Sequence, residues 1–347
     1  MSIDLTGGLD PDLDFVFATQ PDEPDMRESV NAWIWDDTAP VALPRMGIEA
    51  VADQWDTHDV NLNLALADGR VLTCFAPGPV HDPAGPDGRA RVLGAGPLRT
   101  ELVEPFGLLR MSFDGEAAAT TVEAQMQGAL PGQGEPTPVE FDIELRPAVP
   151  PWMNGSLRAD ALHVMETQEE GPLMGHPWRF EQLCRATGRI RVGDESWEID
   201  GSANRIRRQS IRRTATLWGH AWQASVFPSG RGFGYITYPP RKDGKATYNE
   251  GYVFDGDGPL MPARVVQAPW LRVLEPRGED VSCVLETDDG RTIEIAGETA
   301  ISTFMIMPPE AGGGLQLQQA ICRYTWDGEE ANGMLERSSP PAAIGAD

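Results

Sequence analysis

The chain lacks the sequence features that are typical of several large classes of protein. Their absence narrows the range of functions that we consider. Its four cysteines stand far apart in 347 residues, without the paired spacing of zinc or redox sites, so we expect reduced core residues in a cytoplasmic protein. No apolar run is long enough to cross a bilayer, and the acidic start MSIDLTGGLDPDLDF lacks the features of a secretory signal. We therefore expect neither secretion nor stable membrane insertion.

Positive charge is also scarce. Lysine and arginine total 28 against 53 aspartate and glutamate, the net charge is −25, and the only lysines are Lys242 and Lys245. The electrostatic field of a protein with this net charge repels nucleic acid and anionic membranes unless a local basic patch overrides it. We therefore expect no nucleic-acid partner.

Helical periodicity is the third shortage, since no long window holds a period of 3.6 residues. The 37 glycines and 30 prolines are spread along the chain, which favours short strands joined by tight turns. Asp68-Gly69 between two apolar runs indicates a hairpin, because both turn positions tolerate positive φ. Alternating segments such as Val281–Leu285 and Thr292–Ile295 predict an all-β protein.

Similar phrases recur in the same order in the two halves of the chain. Trp55–His58 and the turn at 68–70 are echoed by Trp218–His220 and the turn at 229–231. We interpret this series as an internal duplication, which predicts two tandem antiparallel β-barrels or sandwiches. The predicted organisation is an extended surface lead-in (1–26), a first barrel (27–165), a second barrel (166–337) and a flexible tail (338–347).

Five arginines stand close together in a predicted strand: Arg205, Arg207, Arg208, Arg212 and Arg213. Alternation places Arg205, Arg207 and Arg213 on one face, with Arg208 and Arg212 on the other. Because guanidinium groups bind carboxylates bidentately, the run predicts an anion or carboxylate site. The alternative is internal salt bridging, for which the acidic chain offers many partners.

The segment Trp218-Gly219-His220-Ala221-Trp222 would place three rings on one face of a strand. An apolar wall that carries one imidazole is typical of general acid–base chemistry. The alternative is a satisfied core histidine, and the echo at Trp55 and His58 favours that alternative.

A third cluster, 247–252, follows Tyr235 and Tyr238 and contains Glu250 and Tyr252. If Glu250 faces an aromatic pocket, desolvation favours its protonated form and makes it a candidate proton donor. The alternative is a solvated carboxylate on a strand.

Signals for metals and cofactors are missing from the sequence. His81, His163 and His176 are isolated, without the spacing of metal ligands. Gly94-Ala95-Gly96 is followed by proline and no helix pattern, so it is no dinucleotide fingerprint, and no G-x-S-x-G elbow occurs. We therefore expect neither a metal nor a cofactor.

Several phrases together carry a family resemblance. Phe180–Gly188 and Trp197–Gly201 lead into the arginine-bearing strand and then into Gly219–Trp222, and Trp326–Gly328 and Leu335–Ser338 follow near the end. This order resembles the tandem lipocalin-like (calycin) superfamily that contains carotenoid 1,2-hydratases (hydroxyneurosporene synthases) and AttH-like proteins. Within it, the chain resembles a bacterial branch made of domains of unknown function, of the DUF7064/DUF7065 type.

The resemblance implies two lipocalin-like antiparallel barrels side by side, with an apolar ligand of isoprenoid, steroid or polyketide type in one barrel or between them. Hydratase-like members carry an Arg-Asp-His-Ser-Trp-Gly phrase where this chain has Arg205–Ser210. The aspartate and histidine of that phrase are absent here, so a catalytic proton must come from elsewhere. His220, Glu250 and Asp200 are the candidates.

The leading prediction is therefore a protein that binds a hydrophobic small molecule and transforms it without a cofactor, as a lyase (hydratase) or isomerase. The predicted ligand contacts are the arginine run and the nearby aromatic rings: Arg205, Arg207, Arg208, Arg212, Trp218, Trp222, Tyr235, Tyr238, Tyr252 and Trp270. The alternatives are a non-catalytic carrier whose arginines hold a ligand carboxylate, and a pericyclase or cyclase, which needs only shape and a few hydrogen bonds. The sequence leaves the oligomeric state open.

Overall fold

A computed structural model describes residues 3–167, 176–211, 218–306 and 314–345. Within these ranges, most regular structure is antiparallel strand, with two short α-helices, α1 (Val122–Met126) and α2 (Ala159–Thr167), and a few single-turn 3₁₀ helices. None of the helices in the described ranges is both long enough and apolar enough to cross a membrane. The all-β prediction is confirmed.

The first sheet contains eleven strands, eight of which close into a ring. They are β1 (Met26–Trp35), β2 (Val41–Val51), β3 (Thr57–Leu66), β4 (Arg70–Pro79), β5 (Val92–Ala95), β6 (Leu98–Glu104), β7 (Leu108–Thr121), β8 (Glu135–Pro147), β9 (Trp152–Met153), β10 (His176–Val192) and β11 (Glu195–Ile211). The order is β4-β3-β2-β1-β11-β10-β8-β7, and β4 also pairs with β7, which closes the ring. Strands β6 and β5 continue the sheet beyond β7, and β9 pairs with β10.

The second sheet is a closed barrel of eight strands in sequence order. They are β12 (His220–Val226), β13 (Gly232–Thr237), β14 (Asn249–Phe254), β15 (Met261–Gln267), β16 (Cys283–Thr287), β17 (Thr292–Met305), β18 (Gln316–Trp326) and β19 (Glu329–Ser339). The first strand pairs with the last, with His220 opposite Ser338. The prediction of tandem barrels is confirmed.

Side-chain alternation separates the interior of each barrel from its outer surface. Along β1, Ala32 and Ile34 join an apolar cluster built mainly from the first ring. Along β12 and β13, Ala221 and Tyr235 join a cluster that lies within the second barrel. Because successive residues of a strand point to opposite faces, each barrel is filled by alternate residues of its strands.

The other alternate residues, which point out of each barrel, join the two barrels. Trp33 and Trp35 of β1 share a buried cluster with Trp222 and Tyr252 of the second barrel. The ring centroids of Trp33 and Trp222 are 4.5 Å apart and the rings meet edge to face, a contact worth about 0.5–1.5 kcal/mol beyond burial. An aromatic interface therefore holds the barrels together.

Two hairpin turns follow directly from their residues. Gly69 has φ 94° in the Asp68-Gly69 turn that joins β3 to β4, as predicted. Asp327 and Gly328 have φ 50° and 79° between β18 and β19. Positive φ at both central residues is what a type I′ hairpin turn requires, and Asp-Gly tolerates it.

The sheets do not divide at the predicted domain boundary between residues 165 and 166. Strands β10 and β11 lie beyond that boundary, yet β10 pairs with β8 and β11 pairs with β1. The β1–β11 ladder runs from Met26↔Ile211 to Trp35↔Ser202. The first ring needs this hairpin in order to close, so its strands extend to Ile211 and those of the second barrel begin at His220.

The two rings have the same size, but the repeated phrases do not occupy equivalent positions in them. Each ring has eight strands and pairs its first strand with its last. The Trp55–His58 phrase leads into β3, the third strand of its ring, whereas Trp218–His220 leads into β12, the first. The predicted register of the duplication is therefore wrong, although two similar barrels are present.

Both ends of the chain are more involved in the fold than predicted. In the predicted surface lead-in, Asp14, Phe15 and Val16 are buried. In the predicted flexible tail, Ser338 and Ser339 are buried and belong to β19. The lead-in covers polar residues of β11, and the tail completes the second barrel.

Candidate functional site

The arginine run lies on β11, where Arg205 is buried against the N-terminal segment. It is 3% exposed and donates from Nη2 to Oδ2 of Asp14 at 3.0 Å and to Oε1 of Gln182 at 2.9 Å. Its guanidinium also lies over the Phe180 ring, 5.3 Å from the centroid. A carboxylate of the chain itself therefore holds this side chain.

Arg207 has the same kind of environment and faces the same segment, as the predicted alternation requires. It is 2% exposed and donates to Oε1 of Glu28 at 2.6 Å and to the Phe15 carbonyl at 2.5 Å. Arg208 is also buried and lies 3.6 Å from Glu49, whereas Arg212 lies outside the described residues. The geometry at Arg205 and Arg207 is that of internal salt bridges, the alternative that the sequence left open.

Glu250, on β14, is completely buried and accepts five hydrogen bonds. The Trp152 indole donates at 2.9 Å and the Tyr248 hydroxyl at 2.8 Å. Three backbone N–H groups of residues 155–158 donate at 2.5, 3.0 and 2.9 Å. The carboxylate is therefore not solvated, and it fixes the segment before α2 to the second barrel.

A second buried carboxylate, Glu181 on β10, was not predicted as a site residue from the sequence. It pairs with Arg179 at 2.7 Å and accepts from Nε1 of Trp222 at 2.9 Å and Nδ2 of Asn204 at 3.2 Å. Desolvation raises the pKa of Glu181, and the charge of Arg179 opposes that shift. Because Trp222 belongs to the second barrel, Glu181 ties the barrels together. Its place in the Phe180–Gly188 phrase is the signal that could have found it.

The predicted tyrosine contacts are deeply buried, whereas Asp200 is not. Tyr235 donates to Oε1 of Gln223 inside the second barrel, and Tyr252 packs edge to face on Trp152. Burial raises the pKa of both phenols well above its usual range. Asp200 is exposed on β11, and no hydrogen bond of the described residues joins it to the other two catalytic candidates. Among the described residues, His220 and Glu250 share no hydrogen-bond partner either.

His220 begins β12 and bridges two residues of β19. Its Nδ1 lies 2.7 Å from Oγ of Ser338, and its Nε2 lies 3.2 Å from Oε1 of Glu336. Both ring nitrogens are engaged, one with the hydroxyl and the other with the carboxylate. The imidazole is therefore oriented by a hydroxyl and a carboxylate, both from the Leu335–Ser338 phrase.

Glu336 is held in its ionised form by partners from both barrels. Arg45 of the first barrel lies 3.4 Å from Oε2, and Nε2 of Gln319 donates to the same oxygen at 2.6 Å. Desolvation raises the pKa of Glu336, but the charge of Arg45 and the contact with His220 outweigh it and bring the pKa to about 2. Neither Glu336 as the partner of His220 nor Arg45 as the partner of Glu336 was predicted from the sequence.

One end of the second barrel opens into a groove, which we call the mouth groove. Because the strands are antiparallel, the start of β12 and the ends of β13, β15 and β19 all lie at this end. The groove has a volume of about 640 Å³, within the ~300–1,000 Å³ of small-molecule sites. Its lining residues are Trp218, Pro239, Pro240, Arg241, Lys242, Asp243, Trp270, Arg272, Ser339, Pro340 and Ala343.

Two predicted ligand contacts, Trp218 and Trp270, meet in this groove. Nε1 of Trp218 donates to the Pro239 carbonyl at 3.0 Å, and the Arg241 guanidinium lies 5.4 Å from the centre of the Trp218 ring. Trp270 comes from the connection between β15 and β16. The Trp218 indole is thus fixed at the wall. His220 follows it by two residues, but its imidazole is not among the residues that line the groove.

A smaller polar cavity lies between the barrels. Its volume is about 70 Å³, and Arg45, Asn61, Asn63, Thr303 and Gln319 contribute to its lining. Oδ1 of Asn61 and Oδ1 of Asn63 are buried without a hydrogen-bond partner among the described residues. The space equals roughly two water molecules at ~30 Å³ each, which is too small for an apolar metabolite.

Metal-ligating side chains do not converge in the ranges that the structure describes. No group of three or more histidine, cysteine, aspartate or glutamate side chains there could hold a metal ion. The four cysteines are unpaired, and three of them are buried.

Comparison with known proteins places the chain in one family and gives it one fold. The model of the domain of unknown function DUF7064 matches residues 13–341. No curated protein matches the chain. The crystal structure of an AttH-type protein from Nitrosomonas europaea is similar with a TM-score of 0.55 at 14% identity, covering 91% of this chain and 92% of that one. This likeness shows the fold.

Two further solved structures are similar at lower scores. CghA with Sch210972 has a TM-score of 0.49 at 11% identity and covers 90% of this chain and 88% of its own. Kievitone hydratase from Nectria haematococca has a TM-score of 0.48 at 9% identity, covering 94% and 93%. At such scores neither structure adds an argument about the site.

Proposed function

The chain belongs to the DUF7064 family, and we propose that it binds a hydrophobic small molecule of isoprenoid, steroid or polyketide type in the mouth groove. The observation that carries the proposal is the groove of about 640 Å³ with Trp218 and Trp270 in its wall. Apolar ligand surface removed from water against such a wall contributes about 25 cal/mol per Å². The groove therefore supports binding of an apolar molecule.

The other predicted ligand contacts support this site less directly. Arg205 and Arg207 pair with Asp14 and Glu28, so their guanidinium groups are occupied. Tyr235 lies in the packed interior of the second barrel. We therefore place the ligand at the barrel mouth, away from the arginine strand.

A second candidate function, hydration or isomerisation without a cofactor, is favoured by His220. Its ring contacts Ser338 and Glu336 at the end of the barrel where the groove lies, and histidine is a common general acid–base residue. In a hydration, an acid gives a proton to one alkene carbon and water adds to the other, and a proton from that water restores the acid. Glu250, with five donors, and exposed Asp200 have no comparable position. A pericyclase or cyclase, which needs only a shaped pocket, has no residue of its own in its favour.

A cytoplasmic location belongs to the same proposal. Four unpaired cysteines, three of them buried, are typical of proteins that fold in a reducing compartment.

A fluorescence titration with the neutral apolar dye N-phenyl-naphthylamine tests the proposal. The wild type should bind the dye, and Trp218→Ala should weaken binding about tenfold or more because the indole supplies much of the apolar wall. Trp197→Ala is the matched control, since Trp197 packs against the first barrel's core. Absence of dye binding to the wild type, or equal affinity of the two variants, would show that the groove is not the site.

The second candidate is tested separately by products. After incubation with an alkene-bearing ligand that the groove binds, mass spectrometry should find the hydrated or isomerised product, and His220→Ala should lose turnover while it retains dye binding. Recovery of unchanged ligand from the wild type would instead show that the protein is a non-catalytic carrier.

A further inference from the structure

The mouth groove carries positive charge in a strongly acidic protein. The whole chain has 28 basic and 53 acidic side chains, yet the groove is lined by three cations and one carboxylate, namely Arg241, Lys242, Arg272 and Asp243. Arg241 and Asp243 pair with each other at 2.8 Å. Among the described residues no salt bridge involves Lys242 or Arg272.

The two cations lie on different connections at the groove. Lys242 belongs to the connection between β13 and β14, and Arg272 follows Trp270 between β15 and β16. Both side chains are exposed, whereas the two tryptophans are partly buried. The groove therefore combines an apolar wall with a solvated, positively charged rim.

We propose that the ligand of the mouth groove is an apolar carboxylic acid, with its carboxylate at Lys242 and Arg272 and its hydrocarbon part against Trp218 and Trp270. This inference rests on the proposed function and names the chemical class of its ligand. Charge complementarity carries it, because a −25 protein repels anions except where unpaired cations gather. A neutral ligand would leave this charge unused.

The rim position suits a carboxylate better than a buried site would. A carboxylate at an exposed rim stays partly hydrated, so it avoids the large desolvation cost of a buried charge. Arginine offers a planar fork that binds both carboxylate oxygens, and lysine adds a point charge. Each exposed contact should contribute about two- to fivefold in affinity.

A matched pair of dyes tests the charge requirement. Anilinonaphthalene sulfonate carries the same two aromatic parts as N-phenyl-naphthylamine and adds an anionic group. The wild type should bind the anionic dye about fivefold or more tightly than the neutral one at low salt, and the advantage should shrink as salt screens exposed charges. Equal affinities that do not respond to salt would overturn the inference.

Two pairs of variants locate the charge effect. Lys242→Met and Arg272→Met should each weaken binding of the anionic dye about two- to fivefold and leave the neutral dye unaffected. Lys245→Met is the control on the same connection, and Arg264→Met is a control at an exposed pair with Glu286; neither residue lines the groove. Equal effects of all four variants on the anionic dye would also overturn the inference.

Displacement by decanoate and by decanol separates this inference from the proposed function. Decanoate should displace the anionic dye at lower concentration than decanol, and Lys242→Met should shrink that difference about two- to fivefold. If decanoate and decanol compete equally, the groove binds apolar molecules without a preference for acids. If neither dye nor either competitor binds, the proposed function itself fails.

Discussion

The arginine strand and the mouth groove place the same kind of charge in opposite settings. On β11, Arg205 and Arg207 are buried and each forms an ion pair with a carboxylate of the chain. At the groove, Lys242 and Arg272 are exposed beside two tryptophans, and no described salt bridge involves them. The cluster of arginines in the sequence therefore belongs to the buried interior, whereas the candidate binding site has two isolated, exposed cations.

The difference follows from the cost of burying charge. A buried cation must meet a carboxylate, because an unpaired charge in a low-dielectric interior is expensive. Asp14 and Glu28 supply those carboxylates for the arginine strand. An exposed cation has no such need and remains available to a ligand.

Replacement of Arg207 by methionine should destabilise the protein most. It leaves Glu28, which is 1% exposed, as a buried carboxylate without its cation, and the expected loss is about 3–5 kcal/mol. Urea unfolding followed by tryptophan fluorescence measures it. Arg264→Met, which breaks the exposed Arg264–Glu286 pair, should cost no more than about 1 kcal/mol. A loss for Arg207→Met as small as the control would refute the structural role of the strand.

Acid unfolding should reveal Glu336 as a buried carboxylate that is stabilising when ionised. Its pKa of about 2 lies below the ordinary value of 4.5, so its contribution is complete above pH 4.5 and is lost as the pH falls toward 2. This loss amounts to about 3 kcal/mol. Glu336→Gln should therefore be less stable at pH 6 and show a shallower decline below pH 4.5. If the stability of Glu336→Gln fell as steeply below pH 4.5 as that of the wild type, Glu336 would not be ionised in the folded protein.

Glu181→Gln is the control for that experiment because its sign is opposite. The raised pKa of Glu181 means that its contribution is present below the ordinary glutamate pKa and is lost as the pH rises through the raised value. As the pH rises above the ordinary glutamate pKa, the free energy of unfolding of Glu181→Gln should therefore fall less than that of the wild type.

Glu250→Gln tests whether this residue anchors the structure. In the variant, an amide N–H₂ group replaces one of the carboxylate oxygens. The donors that bonded to that oxygen then face another donor, and the buried N–H groups left unpaired cost about 1–3 kcal/mol. Thermal unfolding should show the loss, whereas the affinity for N-phenyl-naphthylamine should stay within twofold of the wild type (~0.4 kcal/mol). Glu294→Gln, on an exposed position of β17, is the control. Unchanged stability together with lost turnover would instead support catalysis by Glu250.

Lys242→Met should change stability least. The side chain is exposed and the described structure shows no ion pair for it, so the expected change is within about 0.5 kcal/mol. Urea unfolding beside Arg207→Met gives the contrast in one experiment. A loss above about 1 kcal/mol would mean that Lys242 has a structural partner.

The fold was largely predictable, because it depends on local signals. Alternation in strands and the Asp68-Gly69 turn predicted an all-β chain, and both barrels are present. The domain boundary was not predictable in this way, since it depends on β11 pairing with β1 across more than 150 residues. Local pattern does not encode which distant strand closes a ring.

The site was predictable only in part, for the same reason. Trp218 and Trp270 were singled out as aromatic residues, but their meeting depends on the antiparallel order of the second barrel. The carboxylate partner of Arg205 lies 191 residues away in the chain. Glu336 was visible in the Leu335–Ser338 phrase, yet nothing local shows that Arg45 and His220 contact it.

The most direct test of the central claim is a crystal structure with a bromine-labelled apolar acid such as bromodecanoate. We expect anomalous density for bromine between Trp218 and Trp270, with the carboxylate at Lys242 and Arg272. Density at the arginine strand, with Asp14 or Glu28 displaced, or density between the barrels near Asn63, would contradict it.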